Sequence, residues 1–316
     1  MGKHYLDLRE VKNQTCLRCL GEERKALTEE GLCTKVQSEM DGLPIRCVGE
    51  WAYEKIYRLV QYYGIFSRGM KDKWEGRLNY VEICSGPGRC VTKNNGMEMD
   101  GTSLAIVRHP SFSLLKAALF VDNNPVVVDA LNARIRALKS EQIASARIGD
   151  HADQKGIAHL LGQLPKGCLN LVLVDPTGCD VPFATIRTVF ETLNNVDFLI
   201  NVMLGADATR NLPRAILKPS WMKARTKYEM FLGCPGFCKR SDVVAAAKAG
   251  NDEQLRRIFA DEYMARLKEH GFIHMDMRPV RHYYYLLFAS RHPKGLEFWN
   301  EACRIDPNNQ REFELR

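Results

Sequence analysis

The chain has 316 residues, is 45% hydrophobic and 26% charged, and carries a formal net charge of +7. This is ordinary globular composition, which excludes a fibrous or largely disordered chain. No run approaches the roughly 20 apolar residues of a membrane helix, the N-terminus lacks the apolar core of a signal peptide, and an odd count of 11 cysteines does not suit a disulfide framework. The expectation is a cytoplasmic protein with reduced thiols and a polyanionic partner.

Residues 1–75 precede the first strand-like run and hold a helical pattern at about 49–69, "GEWAYEKIYRLVQYYGIFSRG". Strand-like runs then fall near 79–84, 117–122, 145–149, 169–175 and 196–204. Between them, "NPVVVDALNARIRALKS" (124–140) has Pro125 in its first turn and apolar residues at helical spacing, and "FATIRTVFETLNN" (183–195) is similar. Residues 252–271 form an amphipathic helical pattern ended by Gly271. Strands alternating with helices predict a largely parallel sheet with right-handed crossovers. Two last runs, near 271–278 and 282–290, are too close for a crossover helix and should form an antiparallel hairpin.

The predicted class is therefore α/β: a Rossmann-like sheet of seven strands with a terminal hairpin, which resembles that of class I methyltransferases. Three segments follow: an extension (1–75), a core (76–204 and 252–300) and a helical insertion (205–251).

The stretch "LNYVEICSGPGRC" (78–90) places Glu82 at the end of an apolar run, before a turn that small residues must make, Ser85-Gly86-Pro87-Gly88. The spacing Glu82-x-x-x-Gly86-x-Gly88 resembles the first motif of S-adenosylmethionine enzymes, with Cys84 where the usual first glycine stands. Asp122, followed by Asn123, closes the next strand; a carboxylate there can accept both ribose hydroxyls or cap the following helix. Asp150, followed by His151, closes the third strand, where the resembled fold has an acid that reaches the adenine amino group. Asp175 closes "LVLVD", and its tetrad Asp175-Pro176-Thr177-Gly178 sits where amino-methyltransferases carry Asp-Pro-Pro-aromatic to hold a nucleophilic amine. Glu82, Ser85, Gly86, Gly88, Asp122, Asn123, Asp150 and His151 are thus the expected cofactor residues, and Asp175 the catalytic one.

The motifs "VGEWAYEKIYRLVQYY", "YVEICSGPGRC", "DGTSLAIVRHP", "VLVDPTG" and "YYYLLFASRHPKGLEFW" together resemble the three-Cys-motif partner protein family over about residues 48–300. The resemblance implies a methyltransferase-like fold, and a protein partner of the radical-enzyme-like type for which the family is named.

Cys16, Cys19, Cys33 and Cys47 would close a tetrahedral zinc site if they converge, and are otherwise ordinary thiols. Cys234 and Cys238 form a second short pair, and His282 reads as structural. Residues 205–250 hold nine Lys or Arg against three acids, a net of +6, with Trp221, Tyr228, Phe231 and Phe237 interleaved. Cations plus stacking rings suit nucleic acid, with Arg210, Arg214, Lys218, Trp221, Lys223, Arg225 and Lys227 as contacts; a solvated cap with its rings turned inward is the alternative. Two functions stand: an S-adenosylmethionine-dependent methyltransferase acting on nucleic acid or a modified base, and a non-catalytic subunit that presents nucleic acid to a partner.

Overall fold

The computed structural model describes residues 11–13, 36–281 and 283–304. Cys16, Cys19, Cys33 and His282 lie outside them. No helix among the described residues is long and apolar enough to cross a membrane. The fold is a mixed α/β one, Rossmann-like, with a seven-stranded sheet in the order β6-β5-β2-β7-β8-β10-β9. The chain forms two compact units, Met1–Gly149 with Asn300–Arg316, and Asp150–Trp299.

In the first unit, β1 (Arg46–Val48) leads into helix α1 (Trp51–Met70). Strand β2 (Leu78–Ile83) is buried at every position and pairs in parallel with β5 (Ala117–Asp122), which pairs in parallel with β6 (Ala144–Ile148). Burial on both faces explains why β2 and β5 read as near-continuous apolar runs, whereas β6, at the sheet edge, is exposed at Arg147 and Ile148. Helix α3 (Pro125–Ala137) starts at Pro125, and its N-cap is Asn124, whose side chain accepts from Val126 N–H and Val127 N–H.

Between β2 and β5 the structure adds what the sequence did not predict. The turn after β2 leads into a strand, β3 (Arg89–Thr92), which hairpins with β4 (Glu98–Asp100) before helix α2 (Thr102–Val107) begins. Strand β1 pairs in parallel with β3, making a small three-stranded sheet. Its base is a buried ionic network: Arg89 meets Asp100 at 3.0 Å and Glu98 at 3.7 Å, while Arg108 meets Asp100 at 3.2 Å. Glu98 also accepts from Asn13 Nδ2, Ser38 Oγ and Glu39 N–H. Such a network stabilises little in net terms, but it fixes which groups may pair.

The second unit carries α4 (Gln154–Leu161), β7 (Leu169–Val174), α5 (Phe183–Leu193) and β8 (Val196–Val202), with β7 and β8 parallel. Strand β10 (Tyr284–Ser290) lies antiparallel between β8 and β9 (His274–Val280), as the hairpin expectation required. The basic segment is helical: a π-turn at Leu204–Ala208, then α6 (Thr209–Leu217), α7 (Met222–Leu232) and α8 (Ser241–Lys248). It shares a core with α9 (Asp252–Glu269). Phe231 stacks on Tyr263 with centroids 4.7 Å apart and on Phe259 at 5.7 Å, while Tyr228 and Phe237 meet Phe259 edge-on. Each buried ring contributes about 1.5–3 kcal/mol, so the segment is part of the unit's core rather than a detachable cap.

His109, after α2, is 3% exposed; its Nδ1 accepts Ser111 N–H at 3.0 Å and its ring meets Tyr63 edge-on at 5.0 Å. Burial, and then the Arg68 cation, push its pKa down to about 4. The unfolded chain therefore takes up this proton first, and stability falls as pH drops from about 6.5 towards 4. Urea denaturation should show about 2 kcal/mol less stability at pH 5 than at pH 7 from this group. His109→Gln should remove that share of the slope; an unchanged slope would contradict a buried neutral imidazole.

Candidate cofactor and acceptor sites

The candidate cofactor site in the first unit is built on the turn after β2. Its backbone is left-handed at Cys84 (φ 67°), Gly86 (φ 64°) and Gly88 (φ 92°). Cys84 thus adopts a conformation that favours glycine, at a steric cost of roughly 1–2 kcal/mol for an L residue. Cys84 N–H and Ser85 N–H both donate to Val121 O at the end of β5. Gly86 N–H donates to Asp122 Oδ2 at 3.0 Å, and Asn124 N–H donates to Asp122 Oδ1 at 3.1 Å. The strand-end acid and the glycine turn therefore meet directly. Asp122 is not the helix N-cap; Asn124 is.

A Cβ on Gly88 would lie 2.9 Å from Leu131 Cδ1, so this glycine is fixed by space as well as by φ. Gly101 N–H donates to Gly88 O at 2.7 Å, closing the ends of the β3–β4 hairpin. A Cβ on Gly86, by contrast, meets only Arg46 Nη1, at 3.9 Å, and that side of the turn is open. Arg134, on α3, pairs with Asp41 and donates to Pro87 O at 2.5 Å, bracing the turn from behind. Burial would raise the Asp41 carboxyl, but the Arg134 hydrogen bond and charge outweigh it and hold the pKa below the usual range.

Glu82, expected at the cofactor, is 0% exposed. Its oxygens accept from Tyr80 OH at 2.9 Å and Thr102 Oγ1 at 2.5 Å, so it ties β2 to the start of α2. The acid expected at the cofactor is therefore buried and engaged by β2 and α2. Ser85 Oγ is buried and makes no hydrogen bond. Asn123 is exposed. Ile148, which the sequence did not single out, is in register with Asp122 and 60% exposed, an apolar side chain left uncovered beside the acid.

In the second unit, Asp150 is exposed and accepts Ala152 N–H at 2.8 Å. His151 accepts Thr185 Oγ1 through its carbonyl, while its buried Nδ1 has no hydrogen bond. Asp175 ends β7 half-buried. Asn201 Nδ2, from β8, donates to Asp175 Oδ1 at 3.0 Å and to Pro176 O at 3.3 Å. An amide from β8 thus bridges the Asp175 carboxylate and the Pro176 carbonyl.

A second carboxylate secures the same loop. Asp207, in the π-turn, accepts Cys179 N–H at 2.8 Å, Tyr228 OH at 2.7 Å and Asn211 Nδ2 at 2.9 Å, and pairs with Lys227 at 2.5 Å. Burial would raise its carboxyl; the Lys227, Asn211, Cys179 and Tyr228 hydrogen bonds together hold it below the usual range. Its partners come from positions 179, 211, 227 and 228, of which only Asn211, four residues on, follows a helical spacing.

The basic segment divides into engaged and exposed cations. Arg225 donates to Ala215 O and Ile216 O at the end of α6, and Lys227 is taken by Asp207. Both were expected to contact phosphate; satisfying a helix C-terminus and a carboxylate occupies them instead. Tyr228, Phe231 and Phe237 are fully buried, so they cannot stack on bases. Arg210, Arg214, Lys218 and Lys223 are exposed, and Arg214 lies over the half-buried Trp221 ring at 5.5 Å. Cys47 lies in β1 against the Val36–Ile45–Val91 cluster. No group of three or more His, Cys, Asp or Glu among the described residues could hold a metal ion.

No family model matches the chain and no curated protein matches it. The fold resembles several solved structures at low similarity. A Legionella pneumophila protein, LPL1258, is 9% identical over 80% of this chain and 91% of its own, with a TM-score of 0.46. A Podospora anserina methyltransferase bound to S-adenosylhomocysteine is 11% identical over 86% and 98%, with a TM-score of 0.37. An O-methyltransferase family protein from Burkholderia thailandensis is 13% identical over 73% and 58%, with a TM-score of 0.35. At this level the fold assignment rests on the strand order itself.

The left-handed Cys84 yields a direct test. Cys84→Gly should raise stability by about 0.5–1 kcal/mol, the steric relief less the extra backbone entropy of glycine. Cys84→Val should lower it, because a β-branched residue resists this conformation more. Urea midpoints of the two variants in the opposite order would contradict the turn.

Proposed function

We propose that the protein is an S-adenosylmethionine-dependent methyltransferase that acts on nucleic acid or a modified base. The observation that carries this reading is the 3.0 Å hydrogen bond from Gly86 N–H to Asp122 Oδ2, which joins the left-handed turn to a strand-end acid. Open sheets bind nucleotides outside the carboxyl ends of their strands, at such turns. The residues of the first unit fit the group: an open side at Gly86, an orphan hydroxyl on Ser85, a carboxylate with lone pairs left for ribose hydroxyls, and the uncovered Ile148 for an adenine face. When bound, S-adenosylmethionine supplies a methyl group on a sulfonium centre, which needs alignment more than acid catalysis. Asp122 holds the ribose and the turn admits the methionine tail. Asp150 and His151 are the candidates for the adenine edge, and Asp175 for positioning the acceptor.

A specific observation favours a second reading, a non-catalytic subunit. Asn201 Nδ2 already donates to Asp175 Oδ1 and Pro176 O, so an amine acceptor would share these oxygens with a protein amide. On that reading the protein binds the cofactor or its product without turnover and presents substrate to a partner protein, as the family resemblance implies.

Isothermal titration calorimetry separates these readings from neither. S-Adenosylhomocysteine should bind, and Asp122→Asn should weaken it by about 1.5–3 kcal/mol, the worth of a charged hydrogen bond. Absence of binding of both S-adenosylmethionine and S-adenosylhomocysteine to folded protein would reject both. Binding without methyl transfer to any nucleic acid would favour the subunit.

The nucleic-acid part rests on Arg210, Arg214, Lys218 and Lys223 with Trp221, beside the exposed Leu217 and Met222. Binding of single-stranded RNA or DNA should fall steeply with salt, and alanine at the four cations should flatten the slope by up to about three units. Trp221→Ala should cost about 1–3 kcal/mol with little change of slope. Lys227→Ala should change stability rather than the slope. A quadruple variant that binds like the parent would make this face only a solvated one.

A further inference from the structure

We propose that Arg46 is the receptor for the carboxylate of the methionine tail, closing the cofactor site from the small sheet; this rests on the cofactor reading above. Arg46 lies in β1, in register with Cys90 one residue beyond Arg89, where the turn passes into β3. Its Nη1 lies 3.9 Å from where a Gly86 Cβ would be, and nothing else comes within 4 Å there. The guanidinium therefore borders the open side of the turn.

Arg46 is half-buried, yet it makes no hydrogen bond or ion pair among the described residues. The acids that might have taken it are committed elsewhere. Asp41 pairs with Arg134, Glu54 with Arg58, and Glu98 and Asp100 with Arg89; Asp122 accepts Gly86 N–H and Asn124 N–H. A guanidinium taken partly out of water without an acceptor is costly, and its planar fork matches a carboxylate in a bidentate pair.

A second orphan points the same way. Ser85 Oγ, in the same turn, is buried and has no hydrogen-bond partner, where nearly all such atoms have one. The turn's own N–H groups are largely spoken for: those of Cys84 and Ser85 by Val121 O, and that of Gly86 by Asp122. An anion arriving here finds few backbone donors left and must be held by side chains. Arg46 supplies the charge, and the Ser85 hydroxyl a further donor once it rotates.

The strand holds Arg46 at this place. Its neighbours Ile45 and Cys47 turn to the Val36–Val91 cluster, and alternation sends Arg46 to the opposite face. Val48, on that same face, packs against the Ala52–Ile56–Cys90 cluster, which anchors the strand.

The test compares two ligands by calorimetry. S-Adenosylhomocysteine carries the amino-acid tail; 5′-methylthioadenosine has the same nucleoside and thioether without it. The parent protein should bind the first at least tenfold more tightly. Arg46→Ala should weaken S-adenosylhomocysteine by tenfold to a hundredfold, leave methylthioadenosine within twofold, and keep the thermal midpoint. Arg46→Lys should recover part of the loss. Unchanged S-adenosylhomocysteine affinity in Arg46→Ala would overturn the assignment and leave the cofactor reading standing. Equal losses for both ligands would also overturn it, making Arg46 a support of the turn. A folded parent that binds neither ligand would overturn the cofactor reading and this assignment together.

Discussion

Between Cys84 and Gly88 the backbone turns left-handed three times in five residues, and the first unit is arranged around making that possible. Gly86 N–H is held by a carboxylate from β5, Pro87 O by a guanidinium from α3, and Gly88 O by Gly101 N–H at the start of α2. Each bond comes from a different element, so the turn is where β5, α2 and α3 are registered against β2. Glu82 belongs to the same arrangement. It faces inward to Tyr80 and Thr102, fixing the start of α2 one step behind the turn. An acid at this place is accordingly compatible with a role in folding as well as in binding.

The regular parts of the fold were legible because they follow local rules. Strand β5 has the bounds that its apolar run predicts, and α3 starts at its proline. The terminal hairpin followed from connection length alone. The β3–β4 hairpin was not legible, since "RCVT" and "EMD" are too short for any period to register. Of the candidate site, only the acids at strand ends were legible. Asp122 and Asp175 could be found from an apolar run followed by an acid. Arg46, Asn201 and Asp207 could not, because what marks them is a neighbour 20 to 40 positions away, and sequence spacing carries no sign of it.

The basic segment shows how composition misleads by counting. Four rings interleaved with nine cations read as one surface. The fold sorts them: three rings go to the core with Phe259 and Tyr263, and two of the cations serve a helix end and a buried carboxylate. What remains outside is a smaller set around Trp221. Because Asp207 reaches both Cys179 N–H and Lys227, it ties the loop after β7 to α7 within their unit.

The hydrogen bond from Gly101 to Gly88 spans the mouth of the β3–β4 hairpin at 2.7 Å. Seen from the main sheet, the chain leaves at Gly88 and returns at Gly101 to almost the same point, as though residues 89–100 had been spliced into an ordinary strand–turn–helix unit. A junction of that kind tolerates change of length cheaply, because closing a longer or shorter excursion costs little once its ends are pinned. The hairpin is also the dock for β1 and, through Lys12, Asn13 and Ser38, for the segments before it. Shortening the excursion to a direct Gly88–Gly101 link would therefore strip β1, Lys12, Asn13 and Ser38 of their landing place while sparing the seven-stranded sheet, so the hairpin is a platform for those residues rather than part of the sheet's own closure.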